Sequence, residues 1–260
     1  MIRTLTATRY VTPLREGGSL PAVVEADDDE LYVMKFVGAG QGARALIAEL
    51  VAGEIARRLG LDVPEIVFLG LPPELGRSEP NPEIRDLLRA SHGLNLGLRY
   101  LPSAFAYNPL LTPPVDPDLA SSIVWFDAYV TNVDRTPRNV NLLLWQDRLW
   151  LIDHGAALYF HHDWTDYLGR SRSAFPYIKQ HTLLPLAGAL AVADLRLRPR
   201  LSAAAIQEIV DLIPDGWLGD VAQFAGLIEH RSAYVAYLLS RLEAAPIFVQ
   251  EAEHARAQLV

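Results

Sequence analysis

The sequence predicts an α+β fold of two lobes: a small N-lobe with an antiparallel sheet and one helix, and a larger, mainly helical C-lobe. Three observations predict it. The β-rich runs "PAVVEA" and "ELYVMKFV" flank the acidic turn "DDD", an amphipathic helical stretch follows them, and most of the chain after residue 155 has a helical pattern. We expect one domain over residues 1–260, with an N-lobe of about 1–100, a hinge at about 99–104 and a C-lobe of about 105–260.

The N-lobe elements are expected in short succession. The two β-rich runs with their acidic turn are typical of a hairpin. The stretch "ARALIAELVAGEIARRLG" predicts a helix that ends at Gly60, since its apolar residues recur at helical spacing. "VPEIVFLGL" predicts the next strand. "NPEIRDLLRAS" predicts a short helix with Asn81 as its N-cap and Pro82 in its first turn.

A connector and the C-lobe come next. "NLGLRYLPSAFAYNPLLTPPVDPD" is rich in proline and is interpreted as the connector. "DLASSIVWFDAYVTN" places its apolar residues on one helical face, and "VNLLLW" with "RLWLID" predicts a hydrophobic hairpin. Further helices are expected at "SAAAIQEIVDLI" and from about Asp220 to Leu242.

Composition excludes several classes of protein. The net charge of −8 argues against a nucleic-acid-binding protein, which usually has a basic face. The absence of cysteine excludes disulfides, thiolate metal sites and a cysteine nucleophile. No apolar run approaches the ~20 residues that span a bilayer, and the first residues lack the apolar core of a signal peptide. We therefore expect a cytoplasmic protein with no membrane span and no nucleic-acid partner.

The segment "NVDRTPRNVNLLLWQDRLWLIDHG", residues 132–155, carries the strongest chemical signal. Phosphoryl transfer needs a carboxylate near the attacking hydroxyl, and oxygen ligands for magnesium. Asp134 and Asn139 lie five residues apart on one loop, and Asp153 ends the returning hairpin. Two apolar strands would hold the loop and this acid in place. Taken alone, "DRTPRN" favours an ordinary surface turn, since Asp, Pro and Asn are typical turn residues; the position of Asp153 is what favours the phosphoryl-transfer interpretation.

The order of these parts resembles the protein-kinase superfamily, in which a D-x-x-x-x-N loop precedes two strands and D-x-G. There is no His-Arg-Asp triplet, and His154 stands where Phe is common. The segment looks much more like the HipA-like kinases, and more distantly like phosphatidylinositol kinases. The resemblance is strongest over residues 31–64 and 120–157. It implies a bilobal protein-kinase-like fold that uses ATP and Mg²⁺.

The resemblance also implies roles for the loop and hairpin residues. Asp134 would accept or orient the hydroxyl proton, and Asn139 with Asp153 would bind magnesium. Arg135 or Arg138 would stabilise the charge of the transferring group, or would contact only the phosphates or Asp153.

Lys35 lies in the otherwise apolar strand "LYVMKFV", where a lysine is costly unless it is paired or faces a cleft. Glu49 and Glu54 on the following helix are the candidate partners. Glu49 is preferred, because "ELVAGEIARRLGLDVP" resembles the corresponding stretch of HipA-like kinases. Lys35 would then contact the nucleotide phosphates and Glu49 would orient it. An exposed lysine on an edge strand is the alternative.

Two backbone segments are expected to contact the nucleotide. One is the turn before the first hairpin strand, formed by Gly17, Gly18 and Ser19, whose N–H groups would cover phosphate oxygens. A two-glycine turn is equally expected in any hairpin, so its position before the Lys35 strand is the argument. The other is the hinge, where the backbone of Arg99, Tyr100 and Leu101 would face the adenine edge.

Two further patterns favour other functions. "VGAGQGARAL" satisfies a loose G-x-G-x-x-A dinucleotide pattern through Gly38, Gly40 and Ala43. Lys35 inside the preceding strand, and the lack of an acid after "EIVFLGL", argue against it. "LYFHHDW" clusters His161, His162 and Asp163, but adjacent histidines on a strand point in opposite directions, which disfavours zinc. A substrate-contacting segment and a plain polar loop both stay open here.

Together these observations predict an ATP- and Mg²⁺-dependent kinase that transfers the γ-phosphoryl group to a hydroxyl acceptor, with a protein Ser/Thr residue expected. A small-molecule or lipid kinase would share every residue named above. A non-catalytic nucleotide-binding switch is a third class, and the complete Lys-Glu-Asp-Asn-Asp set argues against it. Nucleotidyl transfer would use the same metal-binding residues.

Overall fold

The computed structural model describes residues 1–14, 20–40, 42–76, 79–110, 115–219 and 221–259. Its strands are β1 (Thr4–Pro13), β2 (Ala22–Ala26), β3 (Leu31–Lys35), β4 (Ile66–Leu71), β5 (Gly93–Arg99), β6 (Phe105–Ala106), β7 (Leu142–Trp145) and β8 (Arg148–Leu151). Its helices are α1 (Ala43–Leu59), α2 (Pro82–Ala90), α3 (Pro117–Tyr129), α4 (Tyr167–Ser171), α5 (Leu190–Leu197), α6 (Ala203–Val210), α7 (Asp215–Leu218), α8 (Leu227–Glu243) and α9 (Ala245–Ala257).

The first five strands form a closed barrel in the order β1-β2-β3-β5-β4. Four of its pairings are antiparallel, and the closing pair, β1 with β4, is parallel. The expectation of a purely antiparallel sheet is therefore corrected. Closure leaves no open edge among these strands, and the interior holds a core of its own that includes Tyr32, Met34 and Leu69.

Strand β5 occupies the start of the segment that the sequence analysis assigned to a connector. It pairs with both β3 and β4 and so lies inside the barrel wall. The side chain of Asn95 is buried and accepts a hydrogen bond from the backbone N–H of Val37 at 2.8 Å. A strand interrupted by two glycines and an asparagine lacks the usual β-branched pattern, which explains why its sequence resembles a loop.

Helix α1 forms where it was predicted and contacts strand β5 of the barrel as well as helices α6 and α7. It ends at Gly60, whose φ of 85° is the left-handed conformation that favours glycine. Its buried face joins the large core cluster that also contains α3 and α9 residues. Helix α2 likewise forms as predicted, with the Asn81 side chain accepting a bond from the N–H of Glu83.

The predicted hairpin after α3 forms from β7 and β8, and β6 adds a third strand at its edge. The predicted helix at "SAAAIQEIVDLI" is α6. The predicted long helix begins later than expected, at Leu227, because turns occupy residues 221–226. Helix α9 follows it directly. Within the described ranges, no helix is long and apolar enough to cross a membrane.

Replacing Gly97 by Ala is expected to lower the free energy of unfolding by about 1–3 kcal/mol through overpacking of the barrel interior. A Cβ at Gly97 would lie 2.4 Å from Leu69 Cδ1, 2.8 Å from Leu69 Cγ and 2.9 Å from Val67 Cγ2. The matched control is Gly70→Ala in the same barrel, where the nearest atom is a backbone oxygen at 3.6 Å. Urea unfolding of both variants tests the difference; equal midpoints would contradict it.

Candidate active site

The side chain of Lys35, on strand β3, contacts an acid on helix α1 and an acid just after the β7–β8 hairpin. Its Nζ lies 2.6 Å from Asp153 Oδ1 and 3.5 Å from Glu49 Oε2. The lysine side chain is 12% exposed and that of Asp153 is 41% exposed, so the cluster opens to solvent on the aspartate side. Burial disfavours the charged amine, but the two carboxylates outweigh it and raise the pKa of Lys35.

Glu49 is the partner of Lys35, as the sequence predicted, while Glu54 lies near Arg57 instead. The Glu49 carboxylate also accepts a hydrogen bond from the backbone N–H of His154 at 3.0 Å, and its Oε1 lies 3.2 Å from His154 Nδ1. Burial alone would raise the pKa of Glu49, but Lys35 and His154 hold it well below its usual range. His154, the residue that follows Asp153, therefore contacts Glu49 through both its backbone and its ring.

Asp134 and Asn139 meet across a tight loop. Thr136 and Asn139 exchange backbone hydrogen bonds of 3.0 Å, which turns the loop back on itself. Asn139 Nδ2 then donates to Asp134 Oδ2 at 2.6 Å. Burial raises the pKa of the Asp134 carboxyl, a hydrogen bond from Asn139 opposes this, and the charge of Asp153 adds to the increase. The interaction with Asp153 indicates that the loop acid and the hairpin acid face the same space.

A buried acid that the sequence analysis did not single out holds this loop. Asp127 on α3 is fully buried and lies 2.5 Å from Arg135 Nε and 2.9 Å from His181 Nε2. It also accepts a bond from Asn132 Nδ2 at 2.8 Å, and Asn132 Oδ1 accepts one from the N–H of Asp134 at 3.1 Å. Its sequence signal is a lone acid inside an otherwise apolar helix, which requires buried partners.

The two arginines of the loop occupy different environments. Arg135 is fully buried, and its guanidinium donates to the backbone carbonyls of Asn141 and Ile152 as well as to Asp127. All three nitrogens of its guanidinium are thus bonded to acceptors inside the protein, so the expectation that Arg135 stabilises transferring charge is corrected. Arg138 is exposed and forms no ion pair with any described residue.

Of the residues expected at the hinge, some already use their backbone N–H groups in hydrogen bonds within the protein. The N–H groups of Arg99 and Tyr100 donate to the carbonyls of Glu65 and Leu31, both at 2.8 Å. The Arg99 side chain pairs with Glu30 at 3.0 Å. Of the three expected residues, Leu101 alone has a backbone N–H without an acceptor among the described residues. Gly17, Gly18 and Ser19 lie outside the described residues.

The competing patterns do not form the sites that they suggested. Strand β3 pairs antiparallel with β2 and β5, so Gly38, Gly40 and Ala43 do not follow a parallel strand as a dinucleotide fold requires. His161 is buried against Tyr234, with its Nδ1 3.0 Å from the tyrosine hydroxyl. The described part of the chain has no group of three or more His, Cys, Asp or Glu side chains that could hold a metal.

The residues near Asp153 fit a magnesium ion that also binds phosphate oxygens. Asp153 has a second carboxylate oxygen, and Asn139 an amide oxygen, without a hydrogen-bond partner in the described residues. Both are the hard oxygen ligands that Mg²⁺ prefers, and a site with one or two protein ligands is usual where substrate phosphates complete the shell. Asp153 has a left-handed φ of 54°, which aims its side chain away from the extended course of β8.

Kinases position nucleotide phosphates with a small set of residues. This site has that set: a lysine paired with a glutamate, a loop acid with its asparagine, and a second acid at the end of a hairpin. The fold and the site thus define a phosphotransferase of the kinase class. The chain belongs to the HipA-like kinase family, because the model of that family matches residues 8–248.

Two solved structures share the fold. The Helicobacter pylori proinflammatory kinase CtkA is 15% identical with a TM-score of 0.57, over 100% of this chain and 99% of that one. The Golgi casein kinase with Mn/ADP bound is 13% identical with a TM-score of 0.52, over 100% of this chain and 75% of that one. At these identities the likeness concerns the fold. The comparison with curated proteins finds no match.

Proposed function

We propose that this protein is an ATP- and Mg²⁺-dependent kinase that transfers the γ-phosphoryl group to a hydroxyl acceptor, with protein Ser or Thr as the acceptor. One kinase domain over residues 1–260 would bind ATP between the barrel and the helical part, in the cytoplasm. The observation that carries the proposal is the contact of Lys35 with both Glu49 and Asp153. It explains why a buried lysine is retained in an apolar strand.

Lys35, held by Glu49, would bind the α- and β-phosphates as a fixed positive charge. Asn139 and Asp153 would hold magnesium, which when bound neutralises phosphate charge. The fold shared with the Golgi casein kinase with Mn/ADP bound supports nucleotide and divalent-metal use. The N–H of Leu101, which has no acceptor among the described residues, would donate to the adenine edge. The segment Gly17, Gly18 and Ser19 would cover the phosphates.

Asp134 would orient the acceptor hydroxyl and take its proton as the hydroxyl oxygen bonds to the γ-phosphorus and the bond to ADP breaks. Its raised pKa makes it a better proton acceptor than an ordinary aspartate. Arg138, exposed on the same loop, would contact the phosphates or the acceptor. Arg135 would act only as a positioning residue, because its guanidinium is used inside the protein.

Replacing Glu49 by Gln is expected to lower kcat/KM for ATP about 10²-fold, since a displaced Lys35 misplaces the phosphates. Glu54→Gln is the matched control on the same helix, because Glu54 lies near Arg57 and not Lys35. Its kcat/KM should stay within about twofold of wild type. Steady-state kinetics at varied ATP measures both, and an unimpaired Glu49→Gln enzyme would refute the pairing role.

The proposal is tested by incubating the purified protein with Mg²⁺ and ATP labelled at either the γ- or the α-phosphate, with Asp134→Ala in parallel. Label transferred to protein from the γ-position alone, and absent with the variant, is the expected result. Label on an added small molecule or lipid would change the acceptor class. Transfer from the α-position would identify a nucleotidyltransferase, and ATP binding without any transfer would favour a switch.

A further inference from the structure

A cavity lies between the N-terminal turn of α1 and the α7–α8 region. It has a volume of about 270 Å³. Arg44 lies on the α1 side, His161 and Trp164 belong to the segment after Asp153, and Trp217, His230 and Tyr234 form the remaining walls. None of the residues assigned to the active site lines it.

Two histidines in the cavity wall have buried nitrogens without partners. His161 is 0% exposed and His230 is 4% exposed. Nε2 of His161 and both ring nitrogens of His230 form no hydrogen bond within the described ranges. Leaving such groups unpaired in the interior is unfavourable, and a ligand that accepts hydrogen bonds would recover part of this energy. A neutral imidazole has one N–H donor and one acceptor nitrogen, so each of these histidines can offer one N–H to an acceptor-rich group.

Among the described residues that line the cavity, Arg44 is the one with a formal charge. Arg44 is exposed and makes no ion pair with any residue that the structure describes. Burial lowers the pKa of both His161 and His230, and the positive charge of Arg44 lowers each further; Arg231 adds to the effect at His230, and His162 and His230 to that at His161. No carboxylate is among the causes of either shift.

The first turn of α1 adds to this field. Its N-cap is Gly42, which has no side chain to bond the free N–H groups of the helix start. Such N–H groups and the helix dipole favour an anion. The helix has 17 residues, and the unpaired histidines in the same cavity supply an independent reason to expect a ligand there.

We propose that this cavity binds a phosphate monoester. The Arg44 guanidinium, the N–H groups of the α1 first turn and a histidine N–H would bind the phosphate oxygens, while Trp164 and Trp217 cover a short organic stem. The volume is just below the range of drug-sized pockets, about 300–1,000 Å³, which suits a phosphate with a stem of a few atoms. A free metabolite and a phosphorylated side chain of a protein both offer this chemistry.

The test is a calorimetric titration of the full chain, without nucleotide, with O-phospho-L-serine, a phosphoserine peptide and inorganic phosphate. The wild-type protein is expected to bind a phosphate monoester. Arg44→Gln should raise the Kd at least about tenfold, because it removes a charge-assisted hydrogen bond. Arg58→Gln, at the exposed far end of α1, is the matched control and should bind as wild type does.

His230→Phe retains an aromatic ring that can stack on Phe224 but removes both ring nitrogens. It should therefore also weaken phosphate binding. Its Tm shows whether the variant is folded. Tighter binding of the peptide than of phosphoserine would identify a phosphorylated protein as the source, and the reverse would identify a metabolite. No binding at millimolar ligand, or equal Kd for wild type and Arg44→Gln, would overturn the proposal. The outcome is independent of whether the protein transfers phosphate from ATP.

Discussion

Asp153→Asn is expected to lower kcat roughly 10³-fold while the protein stays folded, because the change removes the charge of the acid that would hold magnesium against the phosphates. The fold should tolerate it. The Asp153 side chain is 41% exposed, and Lys35 retains Glu49 as a partner. Asparagine also tolerates the left-handed φ of 54° at this position. The measurement is initial rate at saturating ATP over a range of Mg²⁺ and Mn²⁺ concentrations.

Asp147→Asn is the matched control for this experiment. It makes the same chemical change at the opposite end of the same hairpin, at a residue with a φ of 58°. Its rate should equal that of wild type. If Asp153→Asn kept more than about a tenth of wild-type kcat, an effect well short of a lost metal ligand, the assignment of Asp153 to the metal would be wrong.

Asp127→Asn is expected to reduce the free energy of unfolding by about 3–5 kcal/mol, because it leaves the buried Arg135 guanidinium without its carboxylate. For a protein of this size that corresponds to a fall in Tm of about 10 °C. Asp86→Asn, on the exposed face of α2, is the control and should shift Tm by little. A Tm within about 2 °C of wild type would show that the Asp127 contacts do not stabilise the fold.

The stabilisation that Asp127 provides is also expected to depend on pH. Burial alone would raise the pKa of Asp127, but Arg135 and His181 outweigh it and hold the pKa below the ordinary value. Its contribution to stability is therefore complete above the unfolded pKa of about 4 and is lost as pH falls further. The gap in urea midpoint between wild type and Asp127→Asn should be widest near pH 7 and should shrink below pH ~4.

The contact of Lys35 with Glu49 was predictable because a lysine in an apolar strand requires a buried counter-charge. The family resemblance then separated Glu49 from Glu54, but the contact of Lys35 with Asp153 was not predicted. The spacing of five residues also placed Asp134 and Asn139 on one loop, but the hydrogen bond between their side chains was not predicted. For Lys35 and Glu49, a local pattern limited the choices for a contact between two separate elements.

Other features of the fold and the site could not be predicted from any local sequence pattern. The parallel pairing of β1 with β4 closes the barrel over more than 60 residues of sequence, and no pattern within either strand specifies its partner. His181 meets Asp127 across 54 residues, and nothing around His181 distinguishes it from an ordinary loop histidine. The burial of Arg135 was missed because an arginine beside a catalytic loop acid has the same sequence whether it points outward or inward.

The double use of Glu49 has a consequence for regulation. One carboxylate contacts both Lys35, the lysine proposed to bind phosphate, and the backbone of His154, the residue after the acid proposed to bind metal. Helix α1 cannot swing outward without also releasing the loop that carries Asp153. Phosphate anchoring and metal coordination would then be lost in one cooperative step, so a partner that pulls on this helix alone would act as an on–off control and not as a graded one.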